Sequence, residues 1–187
     1  MNKIKIVSVT ISLLVAFISF FTTYAYVQVL YPLKFKQEIE TASYVNHVEP
    51  ELLASLINEE SSFDNLSESR AGAIGLMQLM PTTAQWLADK MQIDFSIAKL
   101  YEPQYNINMG AYYLRYLLDK FGDEYTALCA YNAGEGQVKT WLLSREFSSD
   151  DKVLKNTPYR ETNSYVEKVL KNKTRYSTRF EINFRKN

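Results

Sequence analysis

The sequence is poor in the side chains that metalloenzymes and nucleophilic hydrolases most often use. Its 187 residues include one histidine, His47, and one cysteine, Cys129. These counts leave almost no room for a zinc site, a Cys–His pair or a Ser–His–Asp triad. Any catalysis must therefore use carboxylates, hydroxyls, amides or backbone groups, and we expect no metal and no cofactor.

Glycine and proline are also scarce, at 6 and 5 residues, which excludes a collagen-like or low-complexity chain. Positive charge is not in excess, because 21 basic residues are balanced by 21 acidic ones. A nucleic-acid-binding protein needs a basic face for the phosphates, so we expect no nucleic-acid partner. The length and the 47% hydrophobic composition favour one folded domain.

A long segment near the N-terminus, residues 6–33, contains no charged residue. As a helix it would be about 42 Å long, enough to cross a hydrocarbon core of about 30 Å. Three tyrosines follow its apolar middle at the place of an interfacial aromatic belt: Tyr24, Tyr26 and Tyr31. We predict one transmembrane anchor in residues 1–33 and an extracytoplasmic domain in residues 34–187.

The orientation of this segment is predicted from the lysines before it, Lys3 and Lys5, which favour a cytoplasmic N-terminus. A lone cysteine in an exported domain suits a bacterial cell envelope, so the predicted location is the bacterial cell membrane, with a single pass. A cleaved signal peptide is the alternative, but its apolar region is usually about 7–15 residues long. Thr23-Tyr24-Ala25 is also a marginal cleavage site. Both interpretations export the domain.

Apolar residues of the exported part recur at spacings of three and four, which predicts helices. The clearest stripes are Ile39/Ala42/Val45/Val48, Leu53/Leu56/Ile57, Ala84/Leu87/Met91, Ile107/Leu114/Leu117/Phe121 and Val166/Val169/Leu170. Pro50 and Pro81 are placed to begin helices, and Gly122 to end one. Strand-like alternation is weak and confined to residues 179–184. We therefore predict an all-α domain.

Glu60 is the most conspicuous candidate for chemistry. On a helix it shares one face with Leu53, Leu56 and Ile57, so a carboxyl group ends an apolar stripe. Burial there would raise its pKa, as a general acid requires. The alternative is that Glu60 caps a neighbouring helix or pairs with an arginine. Glu59, about 100° around the helix, is predicted to be solvated.

Glycoside cleavage usually employs two carboxylates. Asp64 and Glu68 are the nearby candidates for a second one, but both are better interpreted as solvated loop acids. One acid alone would suit a reaction in which the substrate supplies the nucleophile.

Four segments stand out when taken in order: 60–63 (ESSF), 69–81 (SRAGAIGLMQLMP), 130–134 (AYNAG) and 161–166 (ETNSYV). Together they closely resemble the motifs of the soluble (Slt-type) lytic transglycosylases, which have a goose-lysozyme-like helical fold. The resemblance extends from about residue 50 to 170, roughly two-thirds of the chain. It implies a lysozyme-like helical domain after the transmembrane helix.

The resemblance also implies roles for individual residues. Glu60 matches the catalytic glutamate. The residues implied to contact the substrate are Ser61, Gly75, Leu76, Met77, Gln78, Tyr131, Asn132 and Tyr165. Two positions depart from the family pattern: Asp64 stands where Asn is frequent, and Thr157 replaces a usual apolar residue.

The function implied is cleavage of the β-1,4 bond between N-acetylmuramic acid and N-acetylglucosamine in peptidoglycan, giving a 1,6-anhydromuramoyl product. A lysozyme-like hydrolase of the same bond and a non-catalytic peptidoglycan-binding module are the alternatives. The expected partners are glycan strands and the membrane. Machinery of cell-wall synthesis, division or secretion is a further candidate partner.

Overall fold

The computed structural model describes residues 3–184. Its helices are α1 (Lys3–Leu30), α2 (Lys36–Asn46), α3 (Pro50–Ser61), α4 (Pro81–Met91), a 3₁₀ helix (Ile97–Tyr101), α5 (Pro103–Phe121), α6 (Glu124–Ala133), α7 (Glu135–Leu142) and α8 (Arg160–Phe184). Within this range β-pairing is limited to isolated bridges. The predicted all-α class is confirmed.

The chain divides into two units, Met1–Leu33 and Lys34–Asn187. The first unit contains α1, whose large apolar side chains from Val7 to Leu30 are exposed. Within residues 3–184, one helix is long and apolar enough to cross a membrane, Val7–Leu30.

Local sequence signals explain where the helices of the second unit begin and end. A proline occupies the first turn of α3, α4 and α5, where its fixed φ suits the helix and its missing N–H leaves no unsatisfied donor. Gly122 ends α5 with a φ of 66°. The Asp123 carboxylate then caps α6 by accepting a 2.8 Å hydrogen bond from the backbone N–H of Thr126.

Helix α3 lies at the centre of this unit. All six residues from Leu52 to Ile57 are buried, so the helix is covered on more sides than the predicted stripe required. It packs against α8, and the Ser55 hydroxyl donates a 2.5 Å hydrogen bond to the carbonyl of Val169. This packing holds the C-terminal end of α3 against α8.

One local prediction was wrong, and it concerns the buried face of α2. Val45 was predicted to lie on the buried face of α2, but it is exposed. Asn46 is buried in its place, and its amide donates a 2.9 Å hydrogen bond to Asn108 Oδ1. The weak strand pattern of residues 179–184 belongs to α8. There Tyr176 and Phe180, spaced by one helical turn, are both buried.

An irregular segment, residues 62–80, connects α3 to α4 and is called the α3–α4 loop below. Isolated antiparallel bridges join Glu68 to Ile74 and Ile74 to Leu79, which folds the loop back on itself. The loop thereby returns to the C-terminal end of α3.

Candidate active site

Glu60 lies in the last turn of α3, with its carboxyl half-buried against α8. Its Oε1 accepts a 2.5 Å hydrogen bond from the Tyr165 hydroxyl. Burial raises the pKa of Glu60 to about 7, the hydrogen bond from Tyr165 opposes that rise, and the charge of Glu59 adds to it. A carboxyl group that titrates near neutral pH can both donate and accept a proton.

Glu59 is not the solvated residue that the sequence predicted. Its side chain is 17% exposed and lies 4.0 Å from Lys168 Nζ, and its Oε1 accepts a 2.7 Å hydrogen bond from Asn172 Nδ2. Burial raises the pKa of Glu59, while Lys168 and then Asn172 oppose the rise. The prediction failed because α8 covers this side of α3 as well.

Tyr131, near the end of α6, is a further residue close to Glu60. Its hydroxyl donates a 2.9 Å hydrogen bond to the carbonyl of Met77, and its ring lies 5.3 Å from the ring of Tyr113. Burial, and then the charge of Glu60, raise the pKa of Tyr131 well above its ordinary value. The phenol therefore stays protonated near the carboxyl group.

The α3–α4 loop contributes backbone atoms to the site. Gly75, Leu76 and Met77 were predicted to line a glycan cleft, but all three are buried. The carbonyl of Leu76 accepts a 2.9 Å hydrogen bond from the Ser61 hydroxyl, and that of Met77 accepts from Tyr131. Contact of these residues with the substrate stays a prediction, and in the structure the carbonyls of Leu76 and Met77 hold the side chains of Ser61 and Tyr131.

Gln78 and Asn132 are polar residues whose amides are partly engaged. The Gln78 amide donates to the carbonyls of Gly75 at 2.9 Å and Ser67 at 3.2 Å, so its Oε1 is the atom left to meet a ligand. Asn132 is exposed, and its Oδ1 accepts a 2.9 Å hydrogen bond from the Thr162 hydroxyl. Its NH₂ group is thereby held in a fixed direction.

Asn106, on α5, is a site residue that sequence reasoning missed. It is fully buried, and its Oδ1 accepts from the Met77 N–H at 2.8 Å. Its amide donates to the carbonyls of Ile74 at 3.0 Å and Leu100 at 2.8 Å. The sequence feature that could have identified it is the position of an asparagine next to Ile107, in the apolar stripe of α5. This side chain clamps the loop whose carbonyls orient Ser61 and Tyr131.

Gly75 fits this clamp because it has no side chain. Its φ is 78°, and a Cβ there would overlap the Leu100 carbonyl and the Asn106 side chain. A glycine is therefore required both by the backbone conformation and by the close approach.

The remaining acidic candidates are engaged in the loop. Asp64 and Glu68 are both exposed. Asp64 Oδ1 accepts a 3.0 Å hydrogen bond from the Leu66 N–H, and Glu68 accepts one of 3.2 Å from the Tyr101 hydroxyl. Across residues 3–184, no three His, Cys, Asp or Glu side chains are grouped to hold a metal ion. Thr157 is buried, and its N–H donates to Asn163 at 2.9 Å.

Comparisons with known proteins show which family this chain resembles. The family described as "Transglycosylase SLT domain" matches residues 37–154. The soluble lytic murein transglycosylase of Salmonella typhimurium is 38% identical over 120 residues, or 62% of this chain. A membrane-bound lytic murein transglycosylase C of Actinobacillus pleuropneumoniae is 30% identical in an alignment of 152 residues that covers 69% of this chain.

A solved structure shows the same fold. It is an inactive glutamate-to-glutamine mutant of the lytic transglycosylase Slt from Pseudomonas aeruginosa, with a TM-score of 0.75 and 30% identity over 83% of this chain. The match covers 26% of that chain. The aligned regions likewise span 19% of the Salmonella relative and 42% of the Actinobacillus relative. The resemblance inferred from the four motifs is confirmed, and the chain belongs to the transglycosylase SLT domain family.

Proposed function

We propose that residues 34–187 form a peptidoglycan lytic transglycosylase in which Glu60 acts as general acid and then as general base. The observation that carries the proposal is the half-buried Glu60 carboxyl, which accepts a hydrogen bond from Tyr165 and whose pKa is raised by burial to about 7. Family membership supports the substrate class, since the relatives are named for action on murein.

The proposed reaction begins with protonated Glu60, which gives its proton to the oxygen bridging N-acetylmuramic acid and N-acetylglucosamine. The bond from C1 to that oxygen breaks, and the N-acetylglucosamine end leaves with the proton. The Glu60 carboxylate then takes the proton of the muramoyl 6-hydroxyl, whose oxygen closes onto C1. Glu60 returns to its protonated form, and the product is a 1,6-anhydro sugar.

A second catalytic carboxylate is not required in this scheme, because the muramic acid acetamido group can stabilise the intermediate. Glu59 is engaged by Asn172 and Lys168, and Asp64 caps its own loop. Glu59 contributes in another way, since its charge favours the protonated form of Glu60.

The other side chains of the site have positioning and binding roles in this proposal. Tyr165 orients the Glu60 carboxyl, and Ser61 and Tyr131 hold their places through the loop carbonyls. Gln78 Oε1 and the Asn132 amide are the groups we assign to the sugar hydroxyls and acetamido groups.

We further propose that residues 1–33 anchor the domain in the bacterial cell membrane, with the domain on the outer side. The support is the apolar helix Val7–Leu30, the lysines before it, and a membrane-bound relative. A salt wash of isolated membranes tests the anchor. The protein should stay in the membrane fraction, whereas a soluble form beginning near Tyr26 would establish a cleaved signal peptide.

Product analysis tests the reaction type. Purified peptidoglycan digested with the protein should yield muropeptides ending in 1,6-anhydromuramic acid, which mass spectrometry separates from reducing ends by the mass of one water. Reducing ends alone would identify a hydrolase. Binding without cleavage would identify a non-catalytic module.

A further inference from the structure

A positively charged surface extends along the second half of α8. Between residues 168 and 180 the sequence has five basic residues and no acidic one. The acidic residues of α8 lie before or after this stretch, at Glu161, Glu167 and Glu181. Positive charge is therefore concentrated here, although acidic residues slightly outnumber basic ones in residues 34–187.

Four of the five basic residues share one side of the helix. They are called the basic face of α8 below: Lys168, Lys171, Arg175 and Arg179. Their spacings of three, four and four residues place them on one face of a helix. Lys168, Lys171 and Arg175 are exposed. The fifth residue, Lys173, lies on a different side, where it forms ion pairs with Glu49 and Glu124.

The two lysines of this face present their ammonium groups to solvent. Lys168 lies 4.0 Å from Glu59, but its side chain is 62% exposed, and exposed ion pairs of this kind contribute little. The side chain of Lys171 has no ion-pair or hydrogen-bond partner among the side chains that the structure describes. Both charges are therefore available to an anionic partner.

The connection to the proposed anchor indicates which anionic partner is nearest. The apolar helix ends at Leu30, and α2 begins at Lys36. The connecting residues can extend about 20 Å at most. A folded domain of about 150 residues has a radius of gyration of only about 15 Å. In the proposed topology, the connector therefore keeps the surface of the domain within reach of the lipid headgroups.

We propose that the basic face of α8 contacts anionic phospholipid headgroups and thereby orients the domain on the membrane. Each Lys or Arg near an anionic membrane surface is attracted to it, and the attraction decays within a Debye length. Among the orientations open to a tethered domain, those that turn the basic face towards the bilayer are therefore favoured. This inference rests on the proposed function, because it assumes that residues 1–33 are a membrane anchor.

Lysine footprinting of the unaltered full-length chain tests this contact. The protein is reconstituted in vesicles of phosphatidylcholine, with or without phosphatidylglycerol. A membrane-impermeant amine reagent then labels exposed lysines, which are identified by mass spectrometry. Phosphatidylglycerol should slow the labelling of Lys168 and Lys171 at least about fivefold, relative to Lys90 and Lys152, which are exposed outside α8. Salt at about 1 M should abolish this protection, because the contact is electrostatic.

Two double variants with the same loss of charge separate the basic face from net charge. Lys171→Gln with Arg175→Gln should abolish the protection of Lys168 by phosphatidylglycerol. Lys152→Gln with Lys155→Gln is the matched control, because both residues are exposed outside α8. The control should leave Lys168 protected. Loss of protection in both double variants would mean that net charge, and not this face, governs the contact, and would overturn the proposal.

The footprint of the unaltered chain also separates this contact from the proposed anchor. Labelling rates of Lys168 and Lys171 that are the same in both kinds of vesicle would overturn the contact and leave the anchor intact. Protection by soluble polyphosphate, without any effect of phosphatidylglycerol, would overturn it in favour of an anionic wall polymer. A protein that floats with neither kind of vesicle on a density gradient would overturn the anchor as well.

Discussion

The hydroxyl of Tyr165 donates a 2.5 Å hydrogen bond to Oε1 of Glu60, although the two residues are 105 positions apart in the sequence. This contact joins the end of α3 to α8 and fixes the direction of the carboxyl group. It also opposes the effect of burial on the pKa of Glu60. One hydrogen bond therefore influences both the orientation and the ionisation of the proposed catalytic acid.

Replacing Tyr165 by Phe should lower activity about 10- to 100-fold, since a hydrogen bond to an ionisable group contributes about 1.5–3 kcal/mol. The hydrogen bond lowers the pKa of Glu60, so its loss should raise that pKa further. The alkaline limb of kcat/KM, where the acid loses its proton, should move to higher pH. A pH profile on peptidoglycan measures both effects.

Tyr125→Phe is the matched control for this variant. Tyr125 donates a 2.9 Å hydrogen bond from α6 to Asn163 on α8, away from Glu60. Tyr125→Phe should leave the pH profile unchanged. If Tyr165→Phe also left the limb unmoved, the link between this tyrosine and the ionisation of Glu60 would be refuted.

Glu59→Gln should shift the same limb in the opposite direction. The charge of Glu59 raises the pKa of Glu60, so removing it lowers that pKa and brings the loss of activity to lower pH. A glutamine can still accept the hydrogen bond from Asn172, so the fold should be kept. Movement of the alkaline limb of kcat/KM to higher pH would contradict this role of Glu59. A loss of stability without any movement of the limb would contradict it too.

Gly75→Ala should destabilise the domain by about 2–4 kcal/mol, from the strained positive φ and from overlap with the Leu100 carbonyl and Asn106. Gly72→Ala is the control, because Gly72 has a φ of 86° with open space around its Cβ position. Gly72→Ala should lower the free energy of unfolding by about 1 kcal/mol. Denaturant unfolding compares the two, and equal losses would mean that the Asn106 clamp does not require a glycine.

Cys129 should play no part in catalysis. It is fully buried, and burial raises the pKa of its thiol to about 12. Alkylating reagents should therefore label the native protein slowly and leave it active. Cys129→Ala should keep most of the activity with a stability loss of about 1 kcal/mol. Rapid labelling that abolished activity, together with an inactive Cys129→Ala, would contradict a mechanism based on a carboxyl group.

The sequence was sufficient to predict the helices and the special position of Glu60. Apolar spacing reports which face of a helix is covered, and Pro50 and Gly122 mark where helices begin and end. The sequence could not predict that α8 also covers Glu59, because this burial depends on how two helices that are distant in the sequence pack. The resemblance placed Leu76 and Met77 at the cleft, but it could not predict that both side chains are buried while their carbonyls accept from Ser61 and Tyr131.

The Asn106 clamp was missed for a similar reason. A single asparagine in an apolar stripe does not reveal which backbone groups it will satisfy. Three of its partners belong to residues 74–77 and the 3₁₀ helix, and their positions are known only once the loop has folded back.

Glu60→Gln is suited to test the central claim because it should remain folded. The folded pKa of Glu60, about 7, lies above its ordinary value of 4.5. The stability gained from the protonated carboxyl is fully present below pH 4.5 and lost as pH rises through about 7. The glutamine variant should thus melt at or above the wild-type temperature at pH 8.

The rate at which purified peptidoglycan releases 1,6-anhydromuropeptides is the most direct measurement, taken for the wild type, Glu60→Gln and the Glu59→Gln control at one pH below 7. Removing the proton donor should reduce the rate at least about 10²-fold, while Glu59→Gln stays active and Glu60→Gln still binds glycan. A folded Glu60→Gln protein that released these products at the wild-type rate would contradict the account.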